Sequence, residues 1–144
     1  MSRPRSSSSS GTLALPSPPR RFTLAEANRT LPLVSRIVAD IVAVHGQVSH
    51  LQASLEAGVK GKRAEGLEED LERKLARLNE LVEELNAVGC ELKDSAIGLI
   101  DFPGRHQERD IYLCWKLGEE RINYWHELHA GFAGRKPVSV LEER

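Results

Sequence analysis

A chain of 144 residues with 40% hydrophobic and 28% charged residues has the length and composition of one soluble globular domain, large enough to bury roughly two-thirds of its unfolded surface. No uninterrupted apolar run approaches the roughly 20 residues that cross a bilayer, and a net charge of −1 supplies no field for nucleic acid or anionic lipid, so neither partner is expected. Two cysteines, Cys90 and Cys114, are too few for a disulfide framework and follow no export signal, which points to free thiols in a reducing cytoplasm.

Residues 1–21, "MSRPRSSSSSGTLALPSPPRR", combine a Ser run, a Pro cluster and scattered Arg, a composition that cannot bury enough surface to order itself; a disordered N-terminal tail is expected there. The domain then spans 22–137, with 138–144 as a C-terminal tail. "FTLAEANRTLPLV" opens it: Thr23 and Glu26 have the spacing of a capping box. Pro32 removes a backbone donor, which predicts either a kink or a short first helix followed by a second that Thr30 caps. Val34, Ile37, Ile41, Val44, Val48, Leu51 and Leu55, widened by Val38, alternate spacings of three and four and form one apolar seam.

"EAGVKGKRAEG" interrupts that seam, and its Lys60, Lys62 and Arg63 read as a solvated basic loop. A second periodic segment follows through Leu67, Leu71, Leu75, Leu78, Leu81, Val82, Leu85 and Val88, and Gly89 is placed for a left-handed cap. Together these segments predict a long antiparallel helical hairpin of coiled-coil character, with Glu69 to Arg73 and Asp70 to Lys74 as outward i,i+4 pairs.

The period then changes. "IGLIDF", "DIYLCWKL" and "RINYWH" alternate as strands do and predict a three-stranded antiparallel meander at 97–102, 110–117 and 121–126, with Pro103-Gly104 in the first connection. A two-residue turn at Gly118-Glu119 sets Trp115 opposite Ile122 and Leu113 opposite Tyr124. One face then carries Ile111, Leu113, Trp115, Leu117, Ile122 and Tyr124 as a lid on the helical seam. The other carries Tyr112, Cys114, Lys116, Arg121, Asn123 and Trp125, with Asp101 from the first strand.

"FTLAEANRTLPLV", "GCELKDSAIGLIDFPG" and "YLCWKLGEERINYWHELHAGFAGR", in that order, resemble an uncharacterised bacterial family catalogued as domain of unknown function number 2203, over about Phe22 to Pro137. The resemblance implies one coherent domain and brings no activity, substrate or cofactor. An aliphatic residue is expected in that family where Cys90 stands and often an acidic one where His129 stands, so a metal site needing either is not implied.

Among candidate sites, Cys90, Cys114, His126 and His129 have the chemistry of a zinc ligand set but not its spacing, and the register above puts Cys114 and His126 on opposite faces. No metal and no cofactor are therefore expected, Cys114, His126 and His129 remaining as weak metal candidates. "HELH" spaces its histidines three apart rather than four and lacks a third ligand for hydrolytic use of Glu127. Cys114 as a nucleophile would need Lys116 or Arg121 to lower its pKa, and no base is placed for it. "HAGFAGRKP" offers amides and a basic end for an anion, but packing of the chain end with Phe132 as a plug is the simpler reading. Asp101 interrupts an apolar strand and, if buried, requires a partner.

The sequence thus predicts an α+β protein: a long antiparallel helical hairpin on a small three-stranded antiparallel sheet. Its leading functional expectation is a non-enzymatic self-associating or protein-interaction module acting through the helix faces. The alternative is a small-ligand or metal-binding protein, or an enzyme, using the face of Asp101, Tyr112, Cys114, Asn123 and Trp125.

Overall fold

The computed structural model describes residues 21–142; of the tail expected at 1–21, residues 1–20 lie outside them, and Arg21 pairs with Asp110 at 2.7 Å. Thr23 caps helix α1 (Leu24–Glu56) as its spacing requires: its Oγ1 accepts from the Glu26 amide at 3.1 Å and the Glu26 carboxylate accepts from the Thr23 amide at 3.0 Å. The helix continues through Pro32, and Thr30 donates back to the Ala27 carbonyl at 2.7 Å instead of capping a second helix. α1 includes a stretch of mean hydropathy 1.3, long and apolar enough by composition alone to cross a membrane, and 33% of that stretch is buried.

After residues 57–61 the chain returns as α2 (Lys62–Val88), ended by Gly89, whose φ of 117° is the left-handed value that an L side chain resists. The seam is buried along α1 and at the C-terminal end of α2: Val34, Ile37, Val38, Ile41, Val48 and Leu51 of α1 and Leu81 and Leu85 of α2 are buried, while Leu75 is exposed. Only the open end of the hairpin joins the main core; Val48 and Leu51 lie apart from it. On the surface of α2 the ion pairs include Asp70–Arg73 and Arg77–Glu80, at i,i+3, and Arg77–Glu84, instead of the expected i,i+4 pairs.

The sheet has five strands rather than three: β1 (Glu91–Asp94), β2 (Leu99–His106), β3 (Arg109–Lys116), β4 (Tyr124–Glu127) and β5 (Lys136–Pro137), an antiparallel meander in that order. A four-residue helix, α3 (Ser139–Glu142), follows, and Val138 and Leu141 pack against the core from the segment expected to be a tail. β1 and β5 are short, charged or Pro-containing edges, which carry no apolar alternation to betray them. β2 continues through Pro103 and Gly104 because Pro103 lies beyond the end of β1, where its missing N–H faces no ladder; its carbonyl instead accepts from the Phe22 amide at 2.8 Å. The β2–β3 turn falls at Gln107 and Glu108, both at positive φ (52° and 66°), as a two-residue hairpin turn requires.

Between β1 and β2, Gly98 has φ 73°, and a Cβ there would stand 2.8 Å from both Leu117 and Val38. This close approach seats the β1–β2 turn against α1. One sheet face (Ile100, Phe102, Ile111, Leu113, Trp115 and Trp125) closes over the helices in a single core with Phe22, Leu81 and Leu85.

The register of the last hairpin differs from expectation, and the difference decides the site. Leu113 pairs with Trp125 and Cys114 with Tyr124; residues 117–123 form a loop instead of a two-residue turn. Glu119 holds that loop: its carbonyl accepts from the Trp115 indole at 2.9 Å and its carboxylate from the Lys116 amide at 2.9 Å. Asn28 of α1 accepts from the Ile122 amide at 2.8 Å, so Ile122 is buried beside the helices without being paired in a strand. A slip of one residue exchanges the faces of a strand. Trp125 is therefore in the core, while Tyr124 and His126 stand with Cys114 on the outer face.

Candidate functional site

The outer face is built row by row from the pairing. Asp101 in β2 stands opposite Cys114 in β3, and Tyr112 in β3 stands opposite His126 in β4. Strands lie about 4.8 Å apart, so the imidazole of His126 can lie across β3 and reach the carboxylate two strands away. His126 Nε2 sits 3.1 Å from Asp101 Oδ2, both residues are 3% exposed, and the Cys114 sulfur completes a cluster whose ligand atoms lie within 4.8 Å of one another. Tyr112 stacks obliquely on His126, ring centres 5.4 Å apart, and its hydroxyl donates to Glu91 at 3.2 Å.

Above these groups lies a cavity of about 270 Å³ lined by Leu99, Tyr112, Lys93 and the segment after β4, through Leu128, Gly131 and Phe132. Arg135 fixes that segment. Its guanidinium makes two 2.9 Å bonds to the Glu119 carboxylate and lies 4.1 Å from the Tyr124 ring centre and 4.8 Å from that of Phe132. The loop that sets the β4 register and the cover of the cavity thus share one ion pair.

The hydrogen bonding of the cluster is incomplete. His126 Nδ1 is 2.7 Å from the Glu127 carbonyl, which only accepts, so Nδ1 must carry a proton. Nε2 then faces a carboxylate oxygen, and two lone pairs cannot approach to 3.1 Å unless a proton or another cation lies between them. The second carboxylate oxygen, Oδ1, is buried with no hydrogen-bond partner. Burial raises the Asp101 pKa above the ordinary carboxylate value despite the opposing effect of His126. Burial, followed by the charge of Asp101, pushes the Cys114 thiol up to about 12.

Of the residues proposed from sequence, Asp101, Tyr112 and Cys114 line the cavity together. Trp125 does not: it faces the helices, 3% exposed, because of the register change. Asn123 lies in a separate, more open cleft with Arg121, Leu24 and Asn28. Of the weak metal candidates, Cys114 and His126 share a face after all, while His129 is exposed and outside the cluster, and Cys90 belongs to the opposite, helix-facing core. A raised thiol pKa is the reverse of what a nucleophilic Cys114 needs. Phe132 is no core plug: it is exposed on one side and roofs the cavity on the other. His126, a weak metal candidate from sequence, could have been set on the face of Asp101 and Cys114 from "YWH", where alternation puts His on the opposite side from a buried Trp, had Trp125 been assigned to the core.

The chain is an α+β protein whose helical hairpin covers one face of an antiparallel meander and leaves on the other a roofed cavity with a floor of Asp101, Cys114 and His126. It belongs to the family described as "Uncharacterized conserved protein (DUF2203)", whose model matches residues 20–138. No curated protein matches it, and no solved structure does.

Proposed function

We propose that the protein binds a small ligand with a cationic or hydrogen-bond-donating head in the cavity over Asp101. The observation that carries this reading is Asp101, which lines the cavity and whose Oδ1 atom is buried without a hydrogen-bond partner. Leaving such an acceptor unsatisfied costs about 1–3 kcal/mol, more for a charged group. A donor supplied by a ligand removes that cost, and Leu99, Leu128 and Phe132 offer apolar walls for the rest of the molecule. An NMR titration of the full chain with methylguanidinium tests it: saturable shifts at Tyr112, Leu128 and Phe132 are expected, and shifts spread over the acidic surface of α2 instead would refute it.

The far end of the hairpin supports a second reading, self-association with another copy of the chain. There α2 buries none of its residues, and Leu75 is 41% exposed on the seam itself. Light scattering is expected to give a dimer that Leu75→Glu converts to monomer; a wild-type monomer at all concentrations removes this reading.

A further inference from the structure

We infer that the cation seated in this cavity is a divalent transition ion of the zinc type, held by His126 Nε2, Cys114 Sγ and an oxygen of Asp101. The inference rests on the cavity being the ligand site, and four observations support it.

The three side chains are all buried and their ligand atoms already converge within 4.8 Å. In a tetrahedral zinc site with bonds of 2.0–2.3 Å, ligand atoms are separated by about 3.3–3.7 Å. The His126–Asp101 separation of 3.1 Å is close to that span, and the sulfur, within 4.8 Å of the other two atoms, has at most about 1.5 Å to close. The geometry already demands a proton or a metal ion between Nε2 and Oδ2, because Nδ1 is committed to the Glu127 carbonyl at 2.7 Å. That commitment is the outer-shell bond which, at metal sites, fixes the tautomer and aims the other nitrogen at the ion. The orphaned Oδ1 gives the carboxylate a second oxygen, and the thiol that bonds to the carboxylate is itself one of the three ligands. Finally, one thiolate and one carboxylate neutralise a divalent ion, so the loaded site buries no net charge.

Imidazole and sulfur donors select ions of this softness over magnesium or calcium. On binding, the thiol proton and the proton shared by His126 and Asp101 pass to solvent, and no electron is transferred. Three protein ligands leave a fourth position directed into the cavity, as in sites that admit water or substrate.

The test uses cobalt(II) as the probe, titrated into full-length protein stripped with chelator. One equivalent is expected to produce visible bands of tetrahedral cobalt together with a thiolate charge-transfer band, both lost on adding zinc. Cys114→Ser is expected to lose the charge-transfer band, and His126→Gln to weaken binding by more than the roughly 10–100-fold that loss of an outer-shell partner costs. Cys90→Ser, which changes the thiol on the other face, is expected to change neither. Absence of cobalt binding, or bands that persist unchanged in Cys114→Ser, overturns the inference. If cobalt fails while methylguanidinium still shifts Tyr112 and Phe132, the metal is wrong and the ligand cavity stands; if both fail, both readings fall.

Discussion

Leu113 faces Trp125 across the β3–β4 ladder, so both side chains enter the helical core and His126, next in the chain, is turned outward over Asp101. The β2–β3 pairing sets Asp101 beside Cys114, and this second pairing adds His126 to them.

It follows first that the two tryptophans carry comparable weight in the core. Trp115→Ala and Trp125→Ala are each expected to cost roughly 3–5 kcal/mol in urea denaturation. The phenylalanine variants separate them. Trp115 donates to the Glu119 carbonyl at 2.9 Å, whereas the buried Trp125 nitrogen has no partner. Trp115→Phe is therefore expected to cost about 1 kcal/mol more than Trp125→Phe. The reverse order would show that the Glu119 loop does not hold the register.

Removing one member of the Asp101–His126 pair leaves the other buried and uncompensated. In metal-free protein, His126→Ala is expected to lose about 3–5 kcal/mol, while replacing both, as Asp101→Leu with His126→Phe, costs far less than the sum. Additive losses in denaturant melts would mean that the two groups are not coupled.

Cys114, with its thiol pushed up to about 12, is protonated and buried at neutral pH. Iodoacetamide at pH 8 is expected to leave it unmodified in the native metal-free chain and to alkylate it at the rate of an ordinary thiol in urea. Peptide mapping that finds rapid native labelling at Cys114 would restore the nucleophile reading.

Arg21 bonds to Asp110 at 2.7 Å and holds its carboxyl below the ordinary value of 3.8. A depressed folded value means that the pair contributes above the ordinary carboxylate range and is lost as pH falls through the depressed value. Titration of the Asp110 side-chain carbon by NMR is expected to show a midpoint below 3.8, moving up in Arg21→Ala. An unchanged midpoint would remove Arg21 as the cause.

Much of this was legible in the residues themselves. Thr23 and Glu26 announced the start of α1, the spacing from Val34 to Leu51 its buried stripe, and the alternation from Ile111 to Trp115 the direction of the thiol. These are local signals, set by helix and strand periods. What the sequence withheld depends on distant partners. The β3–β4 loop is shaped by Asn28, 94 residues from the amide it caps, and by Arg135 reaching back to Glu119. Without those contacts Gly118-Glu119 resembles a tight turn, and the tight turn sends His126 to the wrong face. β1, "ELKD", and β5, "KP", are strands only because β2 and β4 offer them an edge.

The facing of His126 is open to direct measurement by nuclear Overhauser spectroscopy on selectively labelled protein. This fold predicts contacts from the His126 ring to the side-chain protons of Asp101 and Cys114, and from the Trp125 indole to Leu113 and the core that the helices close. Contacts from the Trp125 indole to Cys114, with the His126 ring among the helices, would contradict it.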